Sequence, residues 1–187
     1  LGDVYKRQDK YIVSECVKVL RDELPYNLHI FVNSVEFIAK VIDTLKLAPE
    51  AVKVVCSTSG ESRQENQRKL GNAYPIGQPS DPAKKINFYT STCFEGCDIF
   101  DPDGVTFIVS DGRKAHTLLD ISTLFTQICG RIRDSRYKAQ IVHVYSTTKY
   151  SKAVTLDEFV AATQRTLADA ESYAAEINSL SEATRVK

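Results

Sequence analysis

An open, mostly parallel β-sheet covered by helices on both faces is the fold class this sequence predicts, and three observations predict it. Strand-like and helix-like patterns alternate along the chain, and the strands are apolar on both faces. The length, 187 residues, is about one domain, enough to bury a core without disulfides or metals. A strand with no polar side has no solvent face, so helices must lie above and below the sheet.

Each element has its own pattern. DKYIVSECVKVLRDEL places Ile12, Cys16, Val19 and Leu20 at helical spacing, and Pro25 ends that helix. LHIFVNS is a short apolar strand that leads into Val35, Ile38, Val41, Ile42 and Leu45, spaced as a second helix. AVKVVCS reads as a buried strand and ESRQENQRKL as a short exposed helix. GNAYPIGQPSDP, with three prolines and two glycines, reads as a mobile loop. KINFYTST is a strand ending in hydroxyl residues, CFEGCDIFDPDG an irregular turn region, and VTFIVSD a fourth strand. From Thr117 onward, Leu118, Ile121, Phe125 and Ile128 predict a helix carrying Arg131, Arg133 and Arg136 at its C-terminal end. AQIVHVYST is a fifth strand. TLDE, a capping box of Thr155 and Glu158, opens a long helix with Phe159, Leu167, Ala170, Tyr173, Ala174, Ile177 and Leu180 on one face.

The organisation expected is residues 1–8 as a non-native leader, 9–150 as the main domain, and 151–187 as a C-terminal helix or the start of an accessory region. DVYKRQ is what GATGTGTATAAGAGACAG encodes, which resembles the transposase end used in preparing sequencing libraries. The protein is therefore expected to continue upstream of Asp9, and the absence of any methionine agrees.

Lys plus Arg and Asp plus Glu both number 24, so net charge does not mark a nucleic-acid or membrane-surface binder and any basic site is local. Five cysteines, without a Cys-x-x-Cys pair or histidines at zinc spacing, fit reduced thiols and a cytoplasmic location. No metal site is expected. Cys93 and Cys97 read as ordinary loop residues in preference to a metal or redox pair, and His29, His116 and His143 as structural. No apolar run is long enough to span a membrane.

In an open parallel sheet, function gathers at the carboxyl ends of the strands. Here those ends carry Asn33 and Ser34, Ser57–Ser59, Thr90–Thr92, Ser110 and Asp111, and Ser146–Thr148. Hydroxyls and backbone amides at strand ends suit phosphate, because they donate hydrogen bonds without needing net charge.

TSTCFEGCDI resembles motif V, QICGRIR motif VI, and HIFVNSVEFIAKVIDTL motif IV of the second RecA-like domain of superfamily 2 DEAD/DEAH-type helicases and ATP-driven translocases. The resemblance runs from about Asp9 to Thr148 and implies a three-layer α/β/α RecA-like fold, that is, the second domain of a P-loop NTPase. It places Thr90, Ser91 and Ser34 against the nucleic-acid backbone, with Arg63 as a further phosphate contact. Glu95, Gly96, Asp98, Gln127 and Gly130 fall beside ATP. Arg131 is the finger reaching nucleotide held by the first domain, with Arg133 as its partner. A guanidinium there stabilises charge on the transferred phosphoryl group and is worth roughly 10³–10⁵ in rate.

Two departures stand beside the resemblance. The family's second arginine would fall on Asp134, whereas this chain offers Arg133 and Arg136. On a regular helix Arg131 and Arg133 would point to different sides, so both can serve ATP only if the helix has already ended. No Gly-Lys dipeptide exists, hence no Walker A loop, and both Asp-Glu pairs lie in predicted helices. ATP and Mg2+ would then be held mainly by a first domain outside this chain, and the chain alone would be inactive. DNA is expected over RNA, because motif V lacks an Ala-Ala-Arg-Gly string. The alternative is a degenerate, non-catalytic RecA-like module that binds nucleic acid or a partner protein.

Overall fold

The computed structural model describes residues 5–112, 114–146 and 155–179, in two units, Leu1–Thr148 and Lys149–Lys187. The first unit runs α1 (Tyr5–Leu20), β1 (Asn27–Phe31), α2 (Val35–Leu45), β2 (Val52–Val55), α3 (Gly60–Leu70), β3 (Ile86–Tyr89), β4 (Gly104–Asp111), α4 (Thr126–Cys129) and β5 (Ile141–Ser146). Its sheet has the order β2-β3-β1-β4-β5, and every neighbouring pair is parallel. The architecture is three-layer α/β/α.

Handedness assigns the layers. With that order written left to right, the connection from β1 to β2 travels left, as does the stretch from β2 through α3 to the Ile76 bridge on the outer edge of β2, whereas the connections from β3 to β4 and from β4 to β5 travel right. Right-handed crossovers put leftward and rightward connections on opposite faces. Accordingly Leu28, Ile30, Val52, Val54, Ile86, Phe88, Val105 and Phe107 pack with Ile12, Cys16 and Val19 of α1, Ile38, Val41 and Ile42 of α2, and Leu70 of α3. The alternate strand residues Phe31, Val55, Tyr89 and Ile108 pack on the other face with Cys93, Phe94, Ile99, Ile128 and Ile132 from the two rightward connections. That second outer layer is thin, since α4 is four residues long.

Across the amino-terminal half of the second face runs a buried polar row, Lys53, Asn87, His29 and Thr106, adjacent in register. Each polar group needs a partner to offset its desolvation. Lys53 Nζ donates to the carbonyls of Pro79 (3.0 Å) and Asp81 (2.5 Å). Asn87 Nδ2 donates to Lys84 O (2.7 Å) and Leu28 O (3.1 Å). His29 is fully buried, with Nε2 2.8 Å from Asp101 Oδ2 and Nδ1 3.1 Å from the Tyr89 hydroxyl. Asp101 also accepts from Asn27 Nδ2 (3.0 Å) and from the Asp103 amide (3.0 Å), which closes the DPDG turn. A Cβ on Gly104 would stand 2.9 Å from the His29 ring, so only glycine lets β4 start beside that histidine.

Several local expectations change. α1 begins at Tyr5, inside the segment set apart as a leader, and Gln8 is buried with Nε2 donating to Ser110 O (2.6 Å) and Val144 O (3.1 Å). Leu20, placed on the buried stripe, is 39% exposed because the stripe continues through Gln8, Ile12, Glu15, Cys16 and Val19 instead. The loop read as mobile is tied down along the β2 edge: Gly77 N donates to Val54 O (2.8 Å), Tyr74 hydroxyl to Leu47 O (2.5 Å), and Ile76 forms a parallel bridge with Val54. No helix starts at Thr117, whose hydroxyl accepts from Asp111 N (2.9 Å) and donates to Lys114 O (2.8 Å), closing the loop after β4. Helical structure resumes as one π-helical stretch, Ile121–Phe125, before α4.

The second unit contains α5 (Leu156–Ser179), and its capping box forms: Thr155 N donates to Glu158 Oε2 (2.8 Å) and Glu158 N to Thr155 Oγ1 (3.3 Å). Leu180, Thr147 and Thr148 lie outside the described residues. Among the described residues no helix is long and apolar enough to cross a membrane.

Burial works to raise the Asp101 carboxyl, but the hydrogen bonds from His29, Asn27 and the Asp103 amide outweigh it and hold the group below its usual range. A depressed carboxylate stabilises the fold above its unfolded pKa of about 3.9 and loses that contribution as pH falls through the folded value. Asp101→Asn should lower stability at pH 7 by about 1.5–3 kcal/mol, the scale of one charged hydrogen bond. The gap between variant and parent in urea midpoint should close on acidification below about pH 4.

Candidate functional site

The carboxyl ends of all five strands share one edge of the sheet, and there the two rightward connections meet. After β3 the chain makes a single 3₁₀ turn, Ser91–Cys93, then bends through Phe94, Glu95 and Gly96, the last at φ +72°, which glycine adopts freely. Cys97, Asp98 and Ile99 follow in extended form. After β4, α4 ends at Cys129 with Gly130 as its cap, Arg131 N still donates to Ile128 O (3.0 Å), and the chain leaves the helix through the bridge residue Ile132. The two segments pair as a short parallel bridge: Ile99 N donates to Arg131 O (2.9 Å) and Arg133 N to Ile99 O (3.0 Å). Side chains on this bridge alternate, so Arg131 and Arg133 lie on the same side while Ile132 enters the core. The condition set for two arginines two residues apart, that the helix has ended, is met.

Arg131 is half-buried, with Nε donating to Gln127 O (3.0 Å) and Nη1 to Cys97 O (3.0 Å). It therefore caps α4 and clamps the Cys97 loop at once. Arg133 Nε donates to Asp98 Oδ1 (2.7 Å), in a pair about half exposed on each side. Arg136 pairs with Asp103. Asp134, where the resemblance leads one to expect a second arginine, accepts from the Asp101 amide (2.8 Å) and so belongs to the DPDG turn.

Of the residues assigned to nucleotide, Asp98, Gln127, Gly130, Arg131 and Arg133 are thus brought together, with Glu95 and Gly96 exposed on the adjoining loop. The Gln127 side-chain oxygen is shielded from solvent and has no hydrogen-bond partner among the described residues.

The residues assigned to nucleic acid fall into two places. Ser91 is exposed, and its amide donates to Asn33 Oδ1 (3.3 Å); Asn33 Nδ2 in turn donates to His116 O (2.7 Å). Asn33 thereby joins the ends of β1, β3 and β4, a role for which its position just after an apolar strand was the only sequence signal. Ser34 caps α2, its hydroxyl accepting from Phe37 N (3.3 Å). Thr90 is buried, its hydroxyl 3.3 Å from that of Thr92, so the exposed group of that pair is Ser91. Arg63 is exposed in the first turn of α3, following the Ser57–Ser59 strand end.

No family model, curated protein or solved structure matches this chain.

Because Arg131 satisfies two backbone carbonyls, Arg131→Ala should destabilise the free domain by about 1–3 kcal/mol and speed hydrogen exchange at Ile99. Arg133→Ala, which removes an exposed ion pair, should cost under about 1 kcal/mol. Urea denaturation of the two variants checks the ordering.

Proposed function

We propose that the chain is the second RecA-like domain of a superfamily 2 helicase or translocase, working with a first domain that carries the Walker motifs. The observation that carries this reading is the bridge between Ile99 and Ile132, which sets Asp98, Arg131 and Arg133 side by side at the carboxyl edge of a parallel sheet. Arginines at such an edge, next to a loop of exposed backbone, suit a phosphoryl group presented from a facing domain.

In this reading Arg131 reaches the γ-phosphate, exchanging its Cys97 carbonyl for phosphate oxygens, and Arg133 leaves Asp98 to join it. Neither exchange requires refolding, because the bridge backbone is held by its own hydrogen bonds. Ser91, the Ser34 hydroxyl and Arg63 contact backbone phosphates along the same edge, DNA before RNA. ATP with Mg2+ is bound mainly by the first domain, and the location is cytoplasmic.

A second reading, a non-catalytic RecA-like module that binds nucleic acid or a partner protein, is favoured by two specific observations. Arg131 already has two internal partners, and Asp134 stands where a second finger belongs. The two readings differ on one substitution. In the complete protein Arg131→Lys should cut nucleic-acid-stimulated ATP hydrolysis by roughly 10³-fold or more while leaving nucleic-acid affinity within a few-fold, since a lysine keeps the charge and loses the fork. Unchanged hydrolysis selects the binding module. The isolated chain should hydrolyse no ATP.

A further inference from the structure

We infer that Cys93 and Cys97 form a modification site, a dithiol that a hydroperoxide closes to a disulfide within the loop that Arg131 clamps. The inference holds whether or not the chain is a motor domain, because it rests on the geometry of this loop alone.

Cys93 closes the 3₁₀ turn and is fully buried beneath the second face of the sheet. The chain then reverses through Gly96, and Cys97 returns over it with Sγ donating to Cys93 O at 3.1 Å. That contact already sets the Cys97 sulfur against the Cys93 backbone, and a disulfide between them needs Cβ atoms at about 3.5–4.5 Å. Closure is an adjustment of the turn between them, where Gly96 at φ +72° adopts without strain a conformation closed to most residues.

The two thiols differ in access. Cys97 is half-buried and reachable by a small oxidant. Burial pushes the Cys93 thiol up to about 12, the neighbouring Cys97 pushes the same way, and the Lys53 ammonium pulls against both. Cys93 therefore stays protonated and waits for an activated partner. Cys16 and Cys56 are buried, and Cys129 is half-buried in the same cluster as Cys97.

The chemistry balances in two steps. The Cys97 thiolate attacks one peroxide oxygen, the O–O bond breaks, and the departing alkoxide takes the proton released by the thiol, leaving Cys97 sulfenic acid and an alcohol. The Cys93 sulfur then attacks the Cys97 sulfur, the S–O bond breaks, and the hydroxide leaves as water with the Cys93 proton. Two thiols lose two electrons and the peroxide gains them. The product ties Cys97, whose carbonyl holds Arg131, to the floor of the fold, so the loop loses the freedom that Gly96 gives it.

The test treats the full chain with hydrogen peroxide, then alkylates free thiols and maps peptides by mass. Free thiols should fall from five to three, with one Cys93–Cys97 link that dithiothreitol reverses. Cys97→Ser, a change at a half-buried position, should abolish the thiol loss. Cys93→Ser should leave a Cys97 sulfenic acid that dimedone traps. A Cys97–Cys129 link, over-oxidation of Cys97 with Cys93 still free, or five thiols remaining in the parent would each overturn the inference.

Discussion

The short bridge between Ile99 and Ile132 is the constraint on which the candidate site depends. It exists because the connections leaving β3 and β4 both travel the same way across a parallel sheet, and right-handed crossovers then share one face. Two segments with more than thirty residues between them are delivered to the same edge, and two backbone hydrogen bonds fix their register. Register in turn fixes chemistry. With Ile132 committed to the core, Arg131 and Arg133 must lie together on the opposite side of the bridge, beside Cys97 and Asp98.

Beneath that site the second face of the sheet is unusual for a core, with a lysine, an asparagine, a histidine and a threonine in one register row. Such a row is tolerated because its ammonium, amide and imidazole groups are paired: Lys53 with loop carbonyls, Asn87 with backbone, His29 with Asp101 and Tyr89. Satisfied polar networks specify a unique arrangement, since any slip in strand register would leave several buried groups unpaired. Asp101 links this network to the site. It holds His29 at the floor while its own amide is held by Asp134, the residue that follows Arg133. The amino-terminal end of the sheet thus anchors the arginine segment from below, and the bridge anchors it from above.

The layers, the strands and most helices were legible because they depend on apolar periodicity, which burial of Ile12, Cys16 and Val19 or Ile38, Val41 and Ile42 follows closely. The pairing of Asp98 with Arg133 was not legible, since the resemblance places each beside nucleotide and says nothing of a contact between them. What was not legible rests on side chains acting at a distance. Thr117 looked like a helix start, but its hydroxyl closes a loop on Asp111. The proline-rich segment after α3 lacked periodicity, yet Tyr74, Gly77 and the Lys53 ammonium hold it in place through backbone groups that no pattern records. Gln8, in the stretch expected as a leader, bridges two strands through its side-chain amide, a contact that no local pattern marks. The end of α4 before Arg131 follows from the competition of Ile99 for the Arg131 and Arg133 backbone, a long-range effect invisible to local spacing.

The proposed motor needs a facing domain, so reading the coding sequence upstream of Asp9 in the source DNA tests that reading most directly. An open frame leading back to an apolar strand ending in Asp-Glu and, before it, a Gly-x-x-x-x-Gly-Lys-Thr/Ser loop is the expected result, and it makes Arg131 the finger of an ATP-driven motor. A frame that opens at a methionine close upstream, with neither motif, contradicts it and leaves Arg131 as a structural clamp in a binding module.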